Sequence, residues 1–257
     1  VIPSDSEMLF LRNLYYRGEL ETLESELEKF TEHPKTWIIR SHIAHDRGEF
    51  NQQKAIADQI INSYENFNEY LEGTFLQSWA LHRLGNNKEA YGVAKLAFDK
   101  LEEFEDDTNF LLEKCLLLKC LGTVAMEQGL DVAERYKEMG LEAARRSGDQ
   151  IMIAQAINSR ATLSYYIGNY TIALSNFLES FEICEREEYP FGMLVAAVNA
   201  GEIYRRIGKF EDAIKYLKIS IRLSERFNHG FGLGFGLWSM GKALQNLGKH
   251  QEARKTF

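Results

Sequence analysis

Residues 190–213 read PFGMLVAAVNAGEIYRRIGKFEDA, and residues 230–253 read GFGLGFGLWSMGKALQNLGKHQEA. Laid on each other without a gap, Phe191 falls on Phe231, Gly192 on Gly232, Gly201 on Gly241 and Gly208 on Gly248. One step back at the same forty-residue spacing, Tyr170 falls on Phe210, Ala173 on Ala213, Ser180 on Ser220 and Glu185-Arg186 on Glu225-Arg226. Agreement at one period across three units marks an internal repeat, and a repeat decides the fold before any single residue does.

Working outward, a glycine recurs between two helical patterns at Gly18, Gly48, Gly85, Gly129, Gly168, Gly208 and Gly248. Glycine accepts the left-handed conformation that ends a helix and turns the chain back. The segment after each glycine is again amphipathic. Tyr170, Ala173, Leu174, Phe177, Leu178 and Phe181 form an i, i+3, i+4, i+7 stripe, as do Phe210, Ala213, Ile214, Leu217 and Ile221. A short link forces the two helices antiparallel, so the unit is a helical hairpin repeated about seven times. Ala161, Gly201 and Gly241 share one place in the first helix, and Ala173, Ala213 and Ala253 one in the second. Small residues at those places let helix axes approach, and neighbouring hairpins bury what one hairpin leaves exposed.

The composition sets bounds on function. Hydrophobic residues make up 45% of the 257 and charged ones 26%, and with only three prolines long helices are permitted almost throughout. A formal net charge of −8 disfavours a protein that tracks nucleic-acid phosphates or an anionic membrane surface. No apolar run is long enough to span a bilayer. The N-terminus shows no secretory leader and opens on Val-Ile-Pro rather than Met, which points to a trimmed or partial chain. Cys115, Cys120 and Cys184 lack metal or redox spacing and read as buried thiols of a reducing, cytoplasmic setting. At the start, Ser4 with Glu7 forms a capping box for the first helix.

Several apparent motifs dissolve on inspection. Gly236 to Lys242 spells G-x-x-x-x-G-K, but Ala243 follows where a phosphate loop needs Ser or Thr, and the segment aligns on helix in the preceding repeat. The run from His229 to Gly236 has no dinucleotide fingerprint. It reads as a repeat boundary and a closely packed helix start, weakened by about 1 kcal/mol for each glycine. His42 and His45 share a helix face with Asp46 near them, which is half a metal site at most, so groove or surface histidines are the simpler reading. Asn169-Tyr-Thr171 is a sequon that stays silent in a cytoplasmic protein. The acidic stretch 102–107 reads as a solvated helix end. No hydrolase elbow or zinc-protease motif occurs, so no enzyme, metal or cofactor is expected.

The pattern Ala200-Gly201-x-x-Tyr204, then Gly208, Phe210 and Ala213, resembles the tetratricopeptide repeat, and the forty-residue period is similar to its long-helix subclass. The resemblance is strongest from Gly148 onward. Earlier, Gln53 stands where alanine is expected, and after Gly129 the alanine comes one place early, at Ala133 before Glu134. It implies an all-α fold, a right-handed superhelical solenoid of about seven antiparallel helix-turn-helix hairpins. Residues 1–257 would form a single solenoid, with degenerate repeats over 1–107 and well-formed ones over 108–257. Phe257 falls within the second helix of the last hairpin, so an uncapped final face points to further chain or to self-association.

The resemblance also implies a groove lined by the first helices, and its positions carry over residue by residue. Asn158, Thr162, Tyr165 and Tyr166 come from the fifth hairpin, and Val198, Asn199, Glu202, Arg205 and Arg206 from the sixth. Trp238, Lys242, Gln245 and Asn246 come from the seventh. Asparagine can both donate to and accept from a peptide backbone, and aromatic and arginine side chains dominate interface energies. The family's clamp for chaperone tails is not reproduced, because Thr123 replaces the asparagine that should accompany Lys119. The expected function is therefore a scaffold or adaptor that binds a peptide or helical segment of a partner protein, without contacting nucleic acid or membrane. The other reading is a ligand- or peptide-sensing domain of a longer signalling or transcription regulator.

Overall fold

The computed structural model describes residues 2–30, 32–104 and 108–256. Phe257 and the acidic Glu105, Asp106 and Asp107 lie outside the described residues. Within them the chain is helical, with no strand, and runs in seven hairpins. These are α1 (Asp5–Arg17) with α2 (Leu20–Leu27), α3 (Pro34–Asp46) with α4 (Phe50–Ser63), and α5 (Phe67–Arg83) with α6 (Asn87–Glu102). Then come α7 (Leu111–Glu127) with α8 (Ala133–Ser147), α9 (Gln150–Tyr166) with α10 (Tyr170–Arg186), α11 (Pro190–Arg206) with α12 (Phe210–Arg226), and α13 (Gly230–Asn246) with α14 (His250–Thr256). None of these helices is long and apolar enough to cross a membrane.

All seven glycines of the sequence pattern have positive φ, between 67° and 85°. They close the first helix of each hairpin as the repeat register requires. A second set of left-handed residues marks the corners between hairpins: Gly148 (φ 72°), Glu188 (φ 51°) and Asn228 (φ 51°), again at forty-residue intervals. Only the first of these is glycine, which is why the corner signal does not stand out in the sequence. A Cβ in this region costs about 1–2 kcal/mol, less for asparagine than for glutamate. Glu188→Gly is therefore expected to raise stability by about 1 kcal/mol and Asn228→Gly by clearly less, as read from urea midpoints. Equal shifts would show that the backbone strain does not depend on the side chain.

The chain divides into two compact units, Val1–Met152 and Ile153–Phe257. In the first, Met8, Leu11 and Leu14 of α1 pack with Leu23 and Leu27 of α2 and with Ile39 and Ile43 of α3. A larger core runs from Ile38 through Leu71, Leu76, Leu117 and Leu121 to Tyr136. The capping box forms at Ser4, whose Oγ accepts from the Glu7 N–H while its own N–H donates to Glu7 Oε2 at 2.7 Å. The places that look degenerate in sequence have physical causes. Gln53 is fully buried, its amide donating to the Leu76 carbonyl at 3.3 Å, so a polar link replaces the small-residue contact. In the fourth hairpin, Ala133 opens α8 and takes the buried place itself.

In the second unit the small-residue places are contact points. Ala161, Ala173, Ala213 and Ala253 are buried. A methyl group on Gly201 would stand 2.7 Å from Leu217 Cγ, so only a hydrogen fits there. The glycine-rich run at 230–236 is continuous helix. The His229 ring accepts from the Gly232 N–H at 3.0 Å, and a Cβ on Gly232 would meet that ring at 2.5 Å. A Cβ on Gly236 would stand 3.0 Å from Ile221 Cγ1, whereas Gly230 and Gly234 face open space. The phosphate-loop look-alike, Gly236 to Lys242, lies inside α13, where its backbone amides serve the helix.

Candidate functional site

The first helices of the last three hairpins bring their expected binding residues onto one face. Glu202 lies on α11, 3% exposed, and accepts four hydrogen bonds. Arg205 donates through Nη2 to Oε1 at 2.6 Å and through Nε to Oε2 at 2.8 Å. Arg206 Nε donates to Oε1 at 2.8 Å, and Ser239 Oγ of α13 to Oε2 at 2.9 Å. Burial opposes charge on Glu202, but the bonds from Arg205, Ser239 and Arg206 outweigh it and hold the carboxyl below its ordinary range.

Each guanidinium also faces a ring. Arg206 lies 5.2 Å from the Tyr165 centroid on α9, and Arg205 lies 5.4 Å from that of Trp238 on α13. One acid thus orients two cations between two aromatic walls, each contact worth about 0.5–2 kcal/mol. Beyond Trp238 the row continues up α13 at helical spacing. Trp238 stacks on Phe235 at 6.0 Å, and Phe235 on Phe231 at 6.2 Å. Phe231 is 67% exposed and Trp238 43%. On the other flank Tyr166, 60% exposed, meets Tyr165 edge-on.

Of the expected contacts, Tyr165, Glu202, Arg205, Arg206 and Trp238 therefore form one connected cluster. Glu202 is within it as the buried organiser rather than as a surface group. Tyr166 extends the cluster at its edge. Asn199 and Lys242 are half-buried on α11 and α13. Asn158 is half-buried on α9, and its side-chain oxygen has no hydrogen-bond partner.

A second polar cluster, in the first unit, goes beyond the sequence reading. Asp46 is 3% exposed and accepts from the Tyr15 hydroxyl at 2.8 Å, and burial raises its carboxyl to about 7. Glu72 lies between Arg12 at 3.6 Å and His42 at 3.7 Å. Burial works against its charge, but His42 and Arg12 prevail and keep it below the ordinary value. Lys119 stands over the Trp79 ring at 5.1 Å, its ammonium brought down to about 8 by burial.

His45, half-buried on α3, is engaged at both ring nitrogens. The Trp79 indole N–H donates to its Nε2 at 3.3 Å, and its Nδ1 lies 3.2 Å from Gln53 Oε1. Desolvation brings its pKa down to about 3, and with both nitrogens engaged it has no lone pair available to act as a base. These groups come from α1, α3, α4, α5 and α7, and apart from the His45–Gln53 pair their contacts span thirty residues and more, which hides the cluster from any local motif. Among the described residues, no three His, Cys, Asp or Glu side chains come together to hold a metal ion. The three thiols are free and buried, and burial pushes each up to about 12.

Residues 152–226, which carry most of the Arg–Glu–aromatic face, match the family model described as Tetratricopeptide repeat. This segment consists of tetratricopeptide repeats. Solved structures extend the likeness to the other hairpins. A Rap protein complexed with competence and sporulation factor superposes with a TM-score of 0.69 at 16% identity, over 92% of this chain and 70% of that one. NprR in complex with its cognate peptide NprX gives 0.61 at 14% identity, over 98% and 76%. Aspartyl phosphate phosphatase F from Bacillus subtilis gives 0.59 at 18% identity, over 100% and 73%. At such identities the likeness is one of fold. A sequence search of curated proteins gives no match. The tetratricopeptide hairpins place their first helices side by side, which is how residues forty apart come to share the Arg–Glu–aromatic face.

Proposed function

We propose that this chain is a protein-interaction module that holds a peptide or helical segment of a partner on the face made by α9, α11 and α13. One observation carries the reading. Glu202, Arg205, Arg206, Tyr165 and Trp238 join three hairpins into a pre-oriented, partly exposed array of the side chains that dominate interface energies. One solved neighbour is named in complex with its cognate peptide and another with a competence and sporulation factor, and the first agrees with a peptide-sized ligand. A scaffold needs no reacting group. In the first unit, His45 is already engaged at both nitrogens.

The test is quantitative capture of partners by the intact chain, wild type against Trp238→Ala, with Lys218→Ala on the exposed side of α12 as control. Trp238→Ala is expected to weaken capture of the same partners by roughly 30-fold, the size of an interface hot spot, and the control to leave it unchanged. Partners that come down equally with both variants would put the binding surface elsewhere.

A second reading is a sensing domain of a longer regulator, favoured by the likeness to a quorum sensor. Small-angle scattering separates the two. A sensor changes its radius of gyration when its peptide binds, and a scaffold keeps it.

A further inference from the structure

The first helices of the last three hairpins carry a net positive charge. The first helices α9, α11 and α13 carry four basic residues, Arg160, Arg205, Arg206 and Lys242, against one acid, Glu202. That acid is buried and already shared between two arginines. The second helices α10, α12 and α14 are instead balanced, with seven acids and seven bases: Glu179, Glu182 and Glu185 stand on α10, while α12 sets Lys215, Lys218, Arg222 and Arg226 against Glu211, Asp212 and Glu225. The chain as a whole carries −8, whereas these three first helices together carry four bases against one acid, a formal +3.

The surplus is presented outward. All four acceptor positions of the Glu202 carboxylate are taken, two on each oxygen. Arg206 is 41% exposed at its side chain; it gives its Nε to Glu202 and a further hydrogen bond to Tyr170, and the guanidinium's five N–H groups leave donors beyond these two. The Tyr165 ring and Glu202 fix its plane, and a fixed guanidinium fork suits two carboxylate oxygens. Lys242, one turn along α13 from Trp238, makes no ion pair with the described residues. The stacked Phe231, Phe235 and Trp238 supply apolar area alongside.

We propose that the segment held on this face is an acidic stretch of a partner protein, whose side-chain carboxylates meet Arg206 and Lys242 while neighbouring apolar residues lie on the Phe231–Trp238 row. The inference rests on the reading of α9, α11 and α13 as the binding face and adds the chemistry of the partner to it. Arg205 turns its Nε and Nη2 inward to Glu202 and acts as the positioning group for the cluster.

The experiment uses capped, fluorescein-labelled peptide pools of one length with identical apolar positions. The remaining positions carry Asp/Glu, Asn/Gln or Lys/Arg, and single-stranded DNA of similar charge serves as a further probe. Fluorescence anisotropy with the whole chain should show the acidic pool bound about ten-fold tighter than the neutral one at low salt, the gap closing as salt screens it. Lys242→Glu and Arg206→Gln should each remove about ten-fold from the acidic pool only, and Trp238→Ala should weaken acidic and neutral pools alike. Lys242 stands outside the Glu202 cluster, so its variant decides the matter if Arg206→Gln disturbs folding.

A neutral or basic pool that binds as tightly, yet is weakened by Trp238→Ala, overturns the acidic preference and leaves the face intact. DNA binding as tight as the acidic pool overturns it too, since the site would then read charge alone. Should Trp238→Ala weaken no pool, the binding face itself falls, and this inference with it.

Discussion

Phe177→Ala is expected to lower the stability of the second unit by about 3–5 kcal/mol, the range for emptying a fully packed aromatic site. Phe177 is 2% exposed and touches a cluster of Ala161, Ala173, Ala200 and Ile203, which belong to α9, α10 and α11. It fills the space that the small residues of three helices leave open. Alanines cannot extend into the void, and the helix backbones are held apart by their other contacts, so relaxation recovers little. Single domains hold about 5–15 kcal/mol in all, so the loss is a large share. Urea unfolding read by Trp238 fluorescence, with Trp37 and Trp79 changed to Phe, should show a lower midpoint with unchanged slope. A loss below about 1 kcal/mol would mean that neighbouring side chains close the cavity, contrary to the packing described.

Glu202→Ala comes next, at about 2–4 kcal/mol. The loss is concentrated where solvent cannot replace the carboxylate. Ser239 is fully buried and its hydroxyl would lose its acceptor, and Arg205, 17% exposed at its side chain, would lose two bonds. Arg206 contributes less, because water already reaches it. The pH dependence has a definite sign. The carboxyl is held below its ordinary 4.5 in the folded chain, so its contribution is complete above that value and is lost as pH falls through the folded pKa. The stability gap between wild type and Glu202→Gln should be flat from about pH 6 to 8 and shrink below about pH 4.5. A gap that stays constant into acid would show that Glu202 acts through packing and not through its charge.

The architecture was legible because it repeats. Gly168, Gly208 and Gly248 announce the turns, Ala173, Ala213 and Ala253 the close contacts, and the period then exposes the false phosphate loop. Five of the nine residues expected to bind fall into one cluster for the same reason, since residues forty apart become lateral neighbours. What stayed hidden is what the period does not encode. Glu188 and Asn228 occupy a left-handed corner with side chains that carry no such signal. Gln53 looks like a lapse from the pattern until its amide is seen joining α4 to α5. Glu202 reads as one more polar groove residue, because nothing local shows that its carboxylate will be buried beneath two arginines. The His42–Glu72–Arg12 contacts and the Tyr15–Asp46 bond depend on three helices meeting, α1, α3 and α5, which no spacing rule anticipates.

The corners at 148, 188 and 228 also bear on how such a chain can change in length. Since the backbone returns to the same conformation every forty residues there, a cut at equivalent corners removes or inserts a whole hairpin with its helix phase preserved. The join would meet matched surfaces: alanine at 173 or 213 behind it, and alanine or glycine at 161 or 201 ahead. A change of any other length would rotate the next helix by roughly 100° per residue and turn its apolar stripe toward water. Changes in length that keep the packing therefore come in quanta of one hairpin, each adding one more first helix to the row of α9, α11 and α13.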